Sequence, residues 1–245
     1  MFENKLIGQF QEGGATLDMA PADARVAYLK KVSLLTFGGL TLAGITGMAM
    51  AFMLAQAPPF FHSRIMQFVL ILGPMFFANI VCAGMVQRRS TAVLGFILAN
   101  VAEGIALGYL LLTAMMVGQV AHGDAFLLIG QALGLTMMVT FGLTAYVWTN
   151  PSEFRWATAI MSALGLPMLL LMLLSFIWPI GGTFGLILSI VFVAVSCLGL
   201  LTSVRDVLHG LSEDQAVPGA FILSMSIIML FWNLLVLLMR LQGRD

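Results

Sequence analysis

Lysine disappears early in this chain, and none follows Lys31. A retinal-type chromophore needs a lysine inside the membrane for its Schiff base, so that class is excluded. Charge of either sign is scarce, at 9% of residues, and 11 basic residues cancel 11 acidic ones. No basic surface is left to hold nucleic acid. The three histidines, His62, His122 and His209, fall in loops or at span ends, which leaves no intramembrane pair for a b-type haem. His-Glu-x-x-His, a Gly-x-Ser-x-Gly elbow and a phosphate-cradling loop with lysine are all missing; their absence speaks against an enzyme. The two cysteines, Cys82 and Cys197, lie mid-span and read as small buried hydrophobes, not as a disulfide or metal pair. No span combines its methionines with a spaced His or Cys, so the expectation is no metal and no organic cofactor. Residues 1–31 carry eight scattered charges and no apolar run long enough for a signal peptide.

What the chain has is apolar length. Hydrophobic residues make up 60% of it, more than a soluble domain can bury. A spanning helix needs roughly 20 apolar residues. Seven such stretches fall at about Val32–Leu54, Ile65–Val86, Thr91–Met115, Ala125–Thr149, Trp156–Ile177, Phe184–Val204 and Gly219–Leu241. The breaks carry turn or polar signals such as Pro58-Pro59, His122-Gly123-Asp124 and Asn150-Pro151. The runs lack period-two alternation, and open sheet edges cannot sit in lipid. The expected fold is all-α: a polytopic membrane bundle of seven transmembrane helices over 32–241. A short cytoplasmic tail (1–31) precedes it and a carboxyl-terminal tail (242–245) follows. Its obligatory partner is the lipid bilayer.

Basic residues set the orientation. Lys5, Arg25, Lys30, Lys31, Arg88, Arg89, Arg155 and Arg205 fall on the amino-terminal side, against Arg64, Arg240 and Arg244 opposite. The amino terminus is therefore expected in the cytoplasm. Small residues mark where helices touch: Gly39, Ala43, Gly47 and Ala51 recur every four positions, and Gly104 with Gly108 and Gly130 with Gly134 form small-xxx-small pairs. Pro74 and Pro167, inside spans, should kink them or free a carbonyl.

One carboxylate stands apart. Glu103 sits inside the third span, whereas every other charge can be placed at or beyond the end of an apolar run. At membrane depth it needs a partner, a proton or a water-filled pocket. Asn100, Glu103 and Gly104 are expected on one face, with Gly108 a turn further on. Gln131, Asn79 and Asn233 are the mid-span polar groups that can answer it. Two readings stay open: a hydrogen-bonded clasp between helices, or a proton- or cation-binding site. The sixth span ends in Ser203, Arg205, Asp206 and His209. There an interfacial ion pair and a charged gate at the cytoplasmic mouth are both open, and a histidine at this place can titrate near neutrality.

Gly142-Leu143-Thr144-Ala145-Tyr146-Val147-Trp148-Thr149, with Glu153-Phe154 after it, resembles the "GLxAYxxT…(D/E)F" stretch of the Bax inhibitor-like, YccA-like membrane proteins. Glu103-Gly104-Ile105-Ala106-Leu107-Gly108 is similar to that family's "EGxxLG". Tyr28-Leu29-Lys30-Lys31-Val32 and the end of the last helix, from Asn233-Leu234-Leu235 to Arg240 and Gly243, resemble it too. The resemblance runs over nearly the whole chain. It implies six helices around a central carboxyl-terminal seventh. It also implies a pH-sensitive calcium or cation leak in some members and, in bacterial relatives of the inner membrane, restraint of a membrane-anchored AAA protease.

The departures matter as much. The resemblance implies a leak site of paired aspartates in the sixth and last helices, and an acidic partner in the second. Here those positions are Ser203, Leu230 and Phe76 or Phe77, and the family's Gly-Pro is Gly108-Tyr109. Two functional expectations follow. The first is a regulatory partner of other membrane proteins. The second is a Ca2+, other cation or H+ leak through Glu103, with Asp206, one turn past Ser203, as the other candidate.

Overall fold

The computed structural model describes residues 22–149, 182–212 and 214–242, together with Ala157, Ile160, Ala163 and Pro167. Apart from those four residues, the span expected at Trp156–Ile177 lies outside the described residues. So do Lys5, Glu153, Phe154, Arg155, Gly243 and Arg244. Among the described residues six helices are long and apolar enough to cross a membrane, and there is no strand. They are α1 (Ala22–Ala55), α2 (Arg64–Val86), α3 (Ala92–His122), α4 (Leu127–Thr149), α5 (Gly182–Gly210) and α6 (Ala216–Gln242).

The helices outrun the apolar stretches that define them. α1 has 34 residues, about 51 Å at 1.5 Å per residue, against a hydrocarbon slab of about 30 Å. It begins ten residues before Val32, so residues 22–31 of the expected tail are helical. A helix already satisfies its own backbone bonds, and it continues into the interface until a breaker intervenes. For α3 the breaker is Gly123, whose left-handed φ of 70° lets its N–H return to Gln119 O at 3.0 Å. Ser63 starts α2, its hydroxyl accepting from the Met66 N–H at 3.4 Å.

α1 and α3 run parallel along a seam of small residues. A methyl group added at Gly39 would meet Asn100 at 2.9 Å, one at Gly47 would meet Gly104 O at 3.1 Å, and one at Gly108 would meet Met50 Cβ at 2.6 Å. Gly95 of α3 likewise lies against Cys82 O and Val86 N of α2. Pressed on both sides, α3 has 61% of its most apolar window buried, against 22–39% for the other five helices. α6 packs on α1, α3, α4 and α5 and touches the end of α2.

Two buried clusters fix the direction of each helix. One end gathers Tyr28, Val86, Phe96, Val207, Leu211 and Ala216; the other gathers Leu54, Leu111, Ala114, Leu128, Ala132 and Leu235. α4 therefore starts at the second end and finishes beside Val204 and Leu208 through Val147. α5 also finishes at the first end, so α4 and α5 run the same way. At that end Arg89, in the α2–α3 loop, forms a salt bridge with Asp214 in the α5–α6 loop.

Candidate functional site

The site is built where α2 breaks its own pattern. Pro74 lacks an amide hydrogen, so the helix loses one intrahelical bond there. Three residues later the backbone widens into a π-helical segment, Phe77–Cys82. An extra residue in a turn re-aims the side chains around it. Asn79 lies in this segment and reaches across to α3. Its amide donates to Met75 O at 2.9 Å and to Glu103 Oε1 at 3.3 Å. Glu103 is only 6% exposed. Asn79 is exposed on the outer face of α2.

Asn100 does not join this pair. At about 100° per residue, Glu103 lies about 60° around the helix from Asn100 and about 100° from Gly104, on the side away from Gly104. Asn100 and Gly104 turn toward α1, and Glu103 turns toward α2. Asn100 is fully buried against Gly39, with its amide bonded to Phe96 O at 2.8 Å and its carbonyl oxygen without a hydrogen bond. The single face expected for Asn100, Glu103 and Gly104 is thus two faces. Gln131 is a second correction. It lies in the second turn of α4, at the far end of the bundle, and is exposed. A mid-span answer to Glu103 from that residue does not exist.

Asn233 belongs to a separate polar contact between α5 and α6. Its amide donates to Ser196 Oγ at 2.7 Å and to Met229 O at 3.0 Å. Two turns along, the Ser203 and Ser226 hydroxyls meet at 2.6 Å, and Ser203 also donates to Gly199 O. Leu230, between these levels, is completely buried. The positions where the resemblance implies paired carboxylates are therefore a hydroxyl contact and a packed leucine. Phe76 and Phe77 are both exposed, at 48% and 41%.

Arg205 ends the α-helical part of α5, and Asp206 and His209 lie in the π-helical segment Asp206–Gly210 that finishes it. Asp206 leans over Gly210, its Oδ1 about 4 Å from where a methyl group there would stand. In the loop that follows, Ser212 Oγ donates to Asp214 Oδ1 at 2.6 Å. The Ser212 hydroxyl does most to hold the Asp214 carboxyl below its usual range; burial opposes it more weakly, and the Arg89 charge, weaker again, adds to the lowering. Among the described residues no three His, Cys, Asp or Glu side chains come together in a metal-binding group.

Long apolar helices packed through small residues, with interhelical polar contacts inside the hydrophobic layer, define an integral membrane helical bundle. A family model described as Bax1-I, inhibitor of apoptosis-promoting Bax1, matches residues 25–243. The chain belongs to the Bax inhibitor-1 family. No curated protein matches it.

Proposed function

We propose that the chain is a non-enzymatic regulatory partner of other membrane proteins, docking on them within the bilayer. A membrane-anchored AAA protease is the first candidate, because the resemblance to bacterial relatives points there. The α5–α6 contact carries this reading. Where a leak would use two facing carboxylates, Ser203 pairs with Ser226 and Leu230 is packed. Neither can share or release a proton near neutral pH.

The same reading takes the chain as a seven-span protein of a bacterial inner membrane with a cytoplasmic amino terminus. α4 and α5 run in the same direction, which supports the seven-span reading. Arg25, Lys30, Lys31, Arg88, Arg89 and Arg205 collect at one end of the bundle, against Arg64 and Arg240 at the other. The contacts of α6 with the five other described helices favour a central last helix.

Co-isolation from native membranes in gentle detergent tests the docking. A membrane protein should accompany the chain, and deleting the chain should change that partner's turnover. A chain that emerges alone, with turnover unaltered, defeats the reading.

The leak is the second reading, favoured by one observation: Asn79 and Glu103 form a polar pair inside the apolar layer. Its test is ion flux in reconstituted vesicles.

A further inference from the structure

The outer face of α2 carries a polar group that lipid cannot satisfy. Asn79 is seven residues from the end of α2 at Val86, roughly 10 Å of helix, too deep for a side chain this short to reach the interface. Both amide hydrogens of Asn79 are used, on Met75 O and Glu103 Oε1. Its carbonyl oxygen has no hydrogen bond among the described residues, and neither has the second Glu103 carboxyl oxygen. The pair therefore has acceptors to spare and no amide donor left. Acyl chains donate nothing, and an unpaired polar group in hydrocarbon is costly. On the same helix Phe76 and Phe77 are exposed, and so are Gly73 and Gly84, six residues before Asn79 and five after it. A methyl group at either glycine would meet nothing within 4 Å.

We infer that this face binds a transmembrane helix of another membrane protein, one that presents a hydroxyl or amide donor at the depth of Asn79. The inference rests on the docking role proposed above and assigns that role a surface. A second copy of this chain fits less well. The same face brought by a copy offers a spare Asn79 carbonyl but no free amide hydrogen to bond it, because both are already used.

The test uses the full chain, fluorescently labelled and reconstituted in phosphatidylcholine vesicles. The probes are two synthetic transmembrane helices, one all-leucine and one with a single serine at the matching depth. Energy transfer should show the serine helix bound roughly three- to tenfold more tightly than the all-leucine helix, the range of one intramembrane hydrogen bond. Asn79→Leu should erase that preference. Gly84→Leu leaves the Asn79–Glu103 contact intact and adds bulk only to the outer face, so it should weaken both probes if the helix docks here. Equal binding of the two probes to the wild type overturns the inference. So does transfer between copies of the chain that disappears in Asn79→Leu. If the probes fail while native membranes still yield a partner, the docking role stands and only this surface is wrong. If both fail, the role falls with it.

Discussion

Gly104→Ala should loosen the α1–α3 seam, and the size of the effect follows from the space available. The added methyl group would collide with Thr46 Oγ1 and lie 2.6 Å from Ala43 O and 2.9 Å from Thr46 Cβ. Thr46 can rotate away only by giving up its bonds to Leu42 O at 2.8 Å and Ala43 O at 3.1 Å. Ala43 O is backbone and cannot rotate. It falls short of an ordinary 3.4 Å contact by about 0.8 Å, so α1 itself must retreat. A retreat of that size is felt along the seam, because Gly39 on Asn100 and Gly47 on Gly104 depend on the same approach. Overpacking of this kind costs about 1–3 kcal/mol. Alanine returns up to about 1 kcal/mol of helix propensity. The net expectation is a loss of up to about 2 kcal/mol, read as a fall of up to about 8 °C in the thermal midpoint of detergent-solubilised protein. Gly134→Ala is the matched control, since a methyl group there meets nothing within 4 Å. It should be neutral or slightly stabilising. If Gly104→Ala is as stable as Gly134→Ala, the seam does not hold the bundle and the reasoning is wrong.

Three further outcomes are expected. Asn233→Leu removes the bond to Ser196 and should destabilise the α5–α6 pair by about 0.6–1.7 kcal/mol in detergent unfolding; Ser196→Ala should add little on top, and fully additive losses would contradict the pairing. In vesicles loaded with a calcium or pH dye, wild type, Glu103→Gln and Asp206→Asn should show equal flux, no greater than protein-free vesicles; a wild-type flux lost in either variant would instead establish the leak. The Asp214 carboxyl is held low in the folded protein, so its contribution is complete above the ordinary aspartate range near pH ~3.9 and fades only as pH falls below it. Spin labels on the two loops should therefore keep one separation from pH 8 to about pH 5 and part in stronger acid. Asp214→Asn should show the parted state at every pH.

How much of this was readable from the sequence depends on what each signal measures. Apolar run length measures the hydrocarbon slab, so it locates the six described helices but not their ends; α3 continues from Met115 to His122 because nothing stops it before Gly123. The four-residue spacing of Gly39, Ala43 and Gly47 identified a close-approach face without naming its partner, since a ladder carries no information about what lies opposite. The structure supplies α3 there. Glu103 was legible as a lone acid, but its partner was one of three amides. Choosing among them required the π-helical widening after Pro74, a local change of period that a uniform 100° rotation cannot represent. That same uniform rotation, counted strictly, would have separated Glu103 from Gly104. Gln131 was misplaced for the opposite reason: hydropathy gives no angle around the helix, and α4 starts at Leu127, so a residue counted as mid-span is near an end.

The two intramembrane polar contacts also differ in kind, and the difference bears on function. At Ser196–Asn233 and Ser203–Ser226 each group finds its partner between α5 and α6, on sides facing the protein. Such contacts fix the register of a helix pair and ask nothing of the surroundings. Asn79–Glu103 has one member buried and the other at the outer surface. Holding the bundle together does not require that exposure, because a buried asparagine would clasp Glu103 equally well. A π-helical turn that carries an amide outward while keeping it bonded to a buried carboxyl instead places an acceptor in the one region where lipid provides no donor. The chain thus retains a polar surface feature in α2 while the α5–α6 interface lacks the paired carboxylates of a leak. That combination favours recognition over conduction.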